Sequence, residues 1–367
     1  PSHFFRFWLW LTTGMVTKDW VAIHRKHHAK CETVDDPHSP QIRGLSTVLL
    51  TGSELYREAA AAMPVRLYLS RSVTQGEGQT ELEHYGHGTP DDWLERKLYS
   101  RHIYVGVGIM LITDLVLFGA IGLTVWAVQM LWIPVTAAGI INGLGHYWGY
   151  RNFETPAPDT STNISPWGII IGGEELHNNH HTYPTSAKLS VRPWEFDIGW
   201  VYIRGLELLG LAMVQRTRLP PQLEFGVSKS QADAETLRVV AAKRYELMAQ
   251  YAQLIREELA KVLGELKATG KLSHKMACHF AEAKKWLVRD PERVPHEIDT
   301  TLLSVVREHS ASIVKLMSMR EKLRLLWTLK DKPMEYLVAE LRSWCQQAEA
   351  SNIPALGEFS RRLRSVR

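Results

Sequence analysis

Gly173-Glu174-Glu175-Leu176-His177-Asn178-Asn179-His180-His181 answers an earlier stretch, His24-Arg25-Lys26-His27-His28, and both read H-x-x-H-H. On an α-helix, offsets of three and four residues fall at about 300° and 400°, so each trio of imidazoles occupies an arc of roughly 100°. Three imidazoles in so narrow an arc have few uses other than holding metal. A third element, Asn142-Gly143-Leu144-Gly145-His146, sets a further histidine one turn beyond an amide. The seven histidines His24, His27, His28, His146, His177, His180 and His181 exceed the four ligands of one tetrahedral zinc and suit two metal ions sharing a site.

Composition frames that centre. The 367 residues leave room for two or three domains, and the formal net charge is +4. Charge this mild gives no argument for nucleic acid as a partner, though it is compatible with an anionic membrane surface or a phosphorylated ligand. Cys31, Cys278 and Cys345 are the only cysteines and form no CxxC, which argues against a disulfide framework or a cysteine-bound cluster and favours a reducing compartment. The mean hydropathy of −0.17 looks soluble but averages two unlike halves.

Working outward, residues 4–16 are apolar and aromatic but too short to span a bilayer, which takes about 20 residues. We expect residues 1–16 to be the tail of a transmembrane helix, with a lone aromatic-rich surface anchor as the alternative. A signal peptide is disfavoured because no basic region precedes the apolar run. Arg25 and Lys26 fall on the side of their helix away from the imidazoles, where lipid or phosphate could meet them. Asp35-Asp36-Pro37-His38-Ser39-Pro40 reads as turn chemistry. Residues 44–69 carry near-helical spacing and suggest helices at the membrane interface. Residues 72–92 read as a loop, and His38, His84, His87 and His102 as isolated surface or capping histidines.

From Ile103 to Ile141 the chain is apolar throughout, with Asp114 as its only charge. That tract suits two abutting helices of about 19 residues, each roughly 28 Å long, turning near Gly119-Ala120-Ile121-Gly122. Two crossings return the chain to its starting side, so that His24–His28 and His146–His181 emerge on one membrane face. Asp114 is either a functional intramembrane carboxylate or a hydrogen-bonded helix residue near the turn. Pro184 should stop the helix that carries the second trio, and residues 199–214 form an amphipathic segment before Pro220-Pro221. Residues 229–367 are rich in Ala, Leu, Lys, Arg and Glu, with breaks at Gly270, Pro291, Pro295, Pro333 and Pro354; four to six helices of a soluble bundle or hairpin array are expected. His274, His279, His296 and His309 lack ligand spacing. The expected fold class is therefore all-α: a membrane-embedded helical domain over residues 1–221 with a histidine-rich cap, then a soluble helical domain over 222–367.

Together, HRKHH at 24–28, NGLGH at 142–146 and GEELHNNHH at 173–181 closely resemble the membrane-bound fatty acyl desaturases. The match is nearest to the bacterial acyl-CoA Δ9 (stearoyl-CoA type) branch and covers roughly residues 4–215. The resemblance implies a multi-pass protein, in a bacterial inner membrane, with its active site on the cytosolic side. It implies two irons held by the seven histidines, with Asn142 reaching one iron through water. The family's first box, H-x-x-x-x-H, is not in this chain, and His3 stands alone, so the expectation is either an N-terminally truncated form of a working enzyme or an inactive fragment.

An unactivated methylene offers acid–base catalysis nothing to grip, whereas oxidised iron–oxygen chemistry can abstract its hydrogens, and neutral imidazoles hold the metal without adding negative charge. A carboxylate usually orients each ligand histidine through its second nitrogen; Glu174 and Glu175 are candidates, unless they simply favour a helix N-terminus. The implied reaction consumes O2 and two electrons. No haem attachment motif, nucleotide-binding glycine fingerprint or fused carrier appears, so electrons would come from a separate ferredoxin- or cytochrome-type carrier and its NAD(P)H-dependent reductase. The implied substrate is a saturated fatty acyl-CoA or acyl lipid, its chain in an apolar tunnel and its head among Arg25, Lys26, Arg151, Lys188 and Arg192, residues that serve equally as positive-inside topology markers. A related histidine-rich membrane hydroxylase is the alternative enzyme.

Overall fold

The structure is a computed structural model and describes residues 2–63, 80–215, 219–270, 273–329 and 331–367. It is 65% helix and 2% strand. Two compact units emerge, one of Pro1–Arg151 with Pro158–Pro220, the other of Asn152–Ala157 with Pro221–Arg367. The second unit thus takes in a six-residue excursion that lies, in sequence, inside the first.

In the first unit, α1 (Ser2–Thr13) exposes Phe4, Phe5 and Trp8 and buries Arg6 and Trp10. Arg6 is neutralised by Asp92 at 2.6 Å and Glu95 at 3.0 Å, the condition on which a guanidinium is tolerated among apolar side chains. Gly14, at φ 65°, turns the chain into α2 (Thr17–Lys30), which carries the first histidine trio. Ala22 and Ile23 pack beneath it against Met63. The stretch expected to be a loop is only partly one: Glu81–Tyr85 is helical, closed by a capping box between Thr80 and Glu83, and the sequence Thr80-Glu81-Leu82-Glu83 is the motif that makes such a start. Residues 72–79 of that stretch and residues 64–69 of the preceding one lie outside the described residues.

Helix α3 (Leu45–Ala62) meets the apolar tract where Gly52 abuts the Ala138 backbone and Gly139 the Leu49 backbone. Small residues at both positions let the two backbones approach closely. The apolar tract divides as expected at Gly119, φ 62°, but unequally. Helix α4 is Ile103–Phe118 and the second helix, α5, is Ile121–Leu144. Pro134 would ordinarily end α5, yet the helix continues through a π-helical section, Pro134–Ile141. The two run antiparallel: Trp126 Nε1 donates to the Val107 carbonyl at 2.9 Å, while Gly122 lies against the Asp114 backbone. Among the described residues, α5 is the one helix long and apolar enough to cross a membrane, and little of it is buried. With 16 residues, α4 is apolar but about 24 Å long.

Beyond α5 the chain pairs Trp167–Gly168 in parallel with Phe196–Asp197. Between those strands lies α6 (His177–Thr182), every residue of it buried, stopping just before Pro184 as proline requires. Helix α7 (Ile198–Leu208) is N-capped by Asp197, which accepts from Trp200 N at 2.9 Å.

The second unit packs α8 (Ala234–Ala242), α9 (Arg244–Ala268), α10 (His274–Trp286), α11 (Ala311–Leu326), α12 (Met334–Glu349) and α13 (Pro354–Leu363) around Tyr251, Phe280, Leu316, Met319 and Trp344. Tyr251 Oη donates to Leu316 O at 2.9 Å and Trp344 Nε1 to Met319 O at 2.8 Å. Its prolines open helices as much as they end them: Pro333 precedes α12 and Pro354 is its first-turn residue in α13. Further helical pieces between 291 and 309 raise the number of segments above the expected range.

Candidate metal centre

The imidazoles meet. Helix α2 supplies one trio and α6 the other, and His146 arrives two residues after α5 ends. Short as it is, α6 is tied down by the residues between its histidines. Asn179 Nδ2 donates to Leu189 O and Glu195 Oε2, both at 2.9 Å, and Asn163 Nδ2 donates to Asn179 Oδ1 at 3.1 Å. His27, His146 and His177 are at most 1% exposed, His180 7% and His181 9%.

The seven histidines divide into two groups, His27, His146, His177 and His181 in one and His24, His28 and His180 in the other. Each H-x-x-H-H motif feeds both, with opposite offsets. The first and fifth residues of α2's motif join the three-histidine group and its fourth residue the other; the first and fifth of α6's motif join the four-histidine group and its fourth the three. Within the four-histidine group, Nε2 of His27 lies 3.1 Å from that of His146 and 3.3 Å from that of His181, and His177 Nε2 lies 2.9 Å from His146 Nε2. In the other group the Nε2 separations are 3.0 Å (His24–His180), 3.2 Å (His24–His28) and 2.8 Å (His28–His180). Nitrogens about 2.0–2.1 Å from a shared metal stand roughly 2.9–3.4 Å apart, between right-angled and tetrahedral placement.

The outward nitrogens explain why protons cannot account for these contacts. His27 Nδ1 is 2.9 Å from Asp36, His146 Nδ1 3.0 Å from Glu32 and His181 Nδ1 3.2 Å from Asp159. A carboxylate accepts only from N–H, so these three rings carry their proton on Nδ1 and turn an Nε2 lone pair inward. Burial pushes His27 and His181 well below the ordinary imidazole range and His177 down to about 4. Neutral rings aiming lone pairs at one another at about 3 Å repel unless a cation lies between them. The donor set therefore fits two metal ions.

Glu32, Asp36 and Asp159 were not legible as orienting groups. Of the two expected, Glu174 stands 3.9 Å from His177 Nδ1, while Glu175 accepts from Ile170 N and Ile171 N and shapes the turn before α6. His38 is a correction: it is 5% exposed, packed at a tilt against His27 with ring centroids 4.3 Å apart, and its Nε2 has no hydrogen-bond partner among the described residues. The turn at Asp35–Pro40 folds it inward, because Asp36 must reach both His27 and the His38 backbone N–H. His84, His87 and His102 are exposed, as expected. Cys31 Sγ lies 3.9 Å from His146 Nδ1 and 4.0 Å from His181 Nδ1. Trp20 stacks on His24 at 4.9 Å.

Asn142 is half-buried, one turn before His146, and its side chain makes no direct hydrogen bond among the described residues. Of the basic residues, Lys26 is 5% exposed with its ammonium on Glu81 at 2.7 Å, so its charge faces the protein. Arg25 is exposed and donates to the carbonyls of Tyr85 and His87. The two residues pin the 80–88 segment to α2. Arg151 donates to Ser161 O at 2.8 Å, and Lys188 and Arg192 are half-exposed in the segment after α6.

Exposed apolar helices joined to a buried double cluster of imidazoles define a helical, histidine-rich protein with a site able to hold metal. Comparison with known proteins gives the family. The fatty acid desaturase profile matches residues 1–213, and the chain belongs to that family. It is 30% identical to Delta-9 acyl-lipid desaturase 2 of Arabidopsis thaliana over 199 residues, 53% of this chain and 56% of the relative. It is 26% identical to the sn-1 stearoyl-lipid 9-desaturase of Anabaena variabilis, over 53% and 63% of the two chains, and 29% identical to the Acyl-CoA C20 Delta5-desaturase of Anemone leveillei, over 53% and 55%. The chain spans little more than half the length of these relatives. No solved structure matches it significantly.

Proposed function

We propose that the chain carries the metal centre of an O2-dependent acyl desaturase, introducing a double bond, at Δ9, into a saturated fatty acyl chain esterified to coenzyme A or to a lipid. The observation that supports this most is the gathering of seven imidazoles, from three separate segments, into two groups whose inward nitrogens lie 2.8–3.3 Å apart. Iron held at the two positions would supply the O2 chemistry needed to remove hydrogens from two adjacent, unactivated methylenes.

The chain's own residues set the conditions for that chemistry. Burial holds His24, His27, His28, His177 and His181 below the ordinary imidazole range and so keeps these rings neutral. Asp36, Glu32 and Asp159 hold the Nδ1 protons of His27, His146 and His181 and so fix the tautomer that binds metal. Asn142 is proposed to reach one metal through a bridging water. The antiparallel pair α4–α5 is proposed to span the membrane and line the acyl tunnel, with the histidines on the cytosolic side. Arg25, Arg151, Lys188 and Arg192 are proposed to meet the phosphate-bearing head group. Electrons would come from a separate ferredoxin- or cytochrome-type carrier and its NAD(P)H-dependent reductase.

Expression in a host lacking the activity, followed by fatty-acid chromatography, tests this reading. New cis double bonds are expected; hydroxylated products would point to the related hydroxylase chemistry instead, and an unchanged profile from a metal-loaded, correctly inserted chain would refute both.

A further inference from the structure

The two halves of the centre are unequal, and we infer that the chain takes up two metal ions in order, the four-histidine position first and tightly, the three-histidine position second and exchangeably. This rests on the metal-centre reading above. The reversed use of the two H-x-x-H-H motifs would by itself create equivalent positions, each with an i, i+4 pair from one helix and a single imidazole from the other. His146 breaks that equivalence by adding a fourth nitrogen to one side only.

The surroundings widen the difference. Glu32 and Asp36, with side chains 2% and 0% exposed, and Asp159 at 14% stand behind three of the four imidazoles. Each fixes a tautomer, raises the basicity of its ring and places negative charge near the cation. Among the described residues, His24, His28 and His180 have no carboxylate within ion-pair distance; Glu174, 3.9 Å from His177 Nδ1, reaches His24 and His180 only through space. Access differs too: His24 and His28 are half-buried, and the indole stacked on His24 is 42% exposed, whereas His27, His146 and His177 are sealed. Ligand number, carboxylate support and burial all favour the same position.

The test is a Co2+ titration of the full chain in detergent, stripped with a chelator, followed by visible absorption in competition with a chromophoric chelator. The first equivalent is expected to bind at least tenfold more tightly than the second. Glu32→Gln and Asp36→Asn should weaken the tight equivalent by about 10–100-fold and leave the weak one in place. His28→Ala should abolish the weak equivalent and retain the tight one. Two equivalents of equal affinity, or loss of the tight one in His28→Ala, would overturn the inference while leaving the metal centre standing. A chain that elutes as a folded species and binds no Co2+ would overturn both.

Discussion

Gly145 stands between the end of α5 and His146, and a Cβ built on it would run into the Ile141 carbonyl oxygen and come within 2.9 Å of Cδ2 and 3.2 Å of Cγ of His177. Ordinary contacts begin near 3.4 Å, so Gly145→Ala must displace the Ile141 carbonyl at the end of α5 and force the His177 ring back by about half an ångström. Helix α6 cannot follow easily, because Asn179 anchors it to Leu189, Glu195 and Asn163. The His177 Nε2 must then leave its place 2.9 Å from His146 Nε2, and about half an ångström is already the tolerance within which a ligand constellation works. Overpacking of this kind costs about 1–3 kcal/mol. We therefore expect Gly145→Ala to lower the thermal midpoint and to weaken the tight Co2+ equivalent tenfold or more. The control is Gly108→Ala in α4, where an added Cβ meets nothing within 4 Å and binding should be unchanged. Metal analysis and Co2+ titration of both variants decide the matter: wild-type affinity and spectrum in Gly145→Ala would refute the placement of His177.

Lys26→Met should leave Glu81 without its partner and cost about 1–2 kcal/mol, less than a fully buried pair because Glu81 is 23% exposed; faster proteolysis within 80–88 is the readout, and unchanged cleavage would contradict the pinning role. Acid should destabilise the metal-free chain. His27, His177 and His181 stay neutral when folded but protonate near pH 6.5 when unfolded, so their contribution is complete above about 6.5 and is lost as pH falls. Denaturation midpoints at pH 7.5 and 5.5 check the sign, and a rise on acidification would contradict it. In the second unit, Tyr251→Phe removes the hydrogen bond to Leu316 O and should cost about 1 kcal/mol with no change in metal content.

The histidine trios were legible because helical offsets alone gather their rings, and the apolar helical hairpin because Gly119–Gly122 interrupts an otherwise continuous apolar run. Its unequal halves were not, since Pro134 is absorbed by a π-helical section that no residue pattern announces. The division of the imidazoles into four and three was equally hidden. It depends on how α2 and α6 face each other, and spacing within one helix says nothing of its partner's rotation. Asp36 and His38 sit only a few residues beyond the first trio, yet they read as turn residues, and Glu32 gave no signal at all, because their partners are fixed by the fold of the turn. Lys26 pointed away from the imidazoles as expected, but its partner Glu81 lies 55 residues on. Long-range pairing of that kind leaves no periodic trace.

The central claim is that these imidazoles hold a pair of metal ions. Iron analysis combined with X-ray absorption at the iron edge, on the purified chain, tests it most directly. The account predicts two irons per chain in a shell dominated by imidazole nitrogens at about 2.1 Å; fewer than one metal per chain, or a shell of sulfur or of water alone, would contradict it.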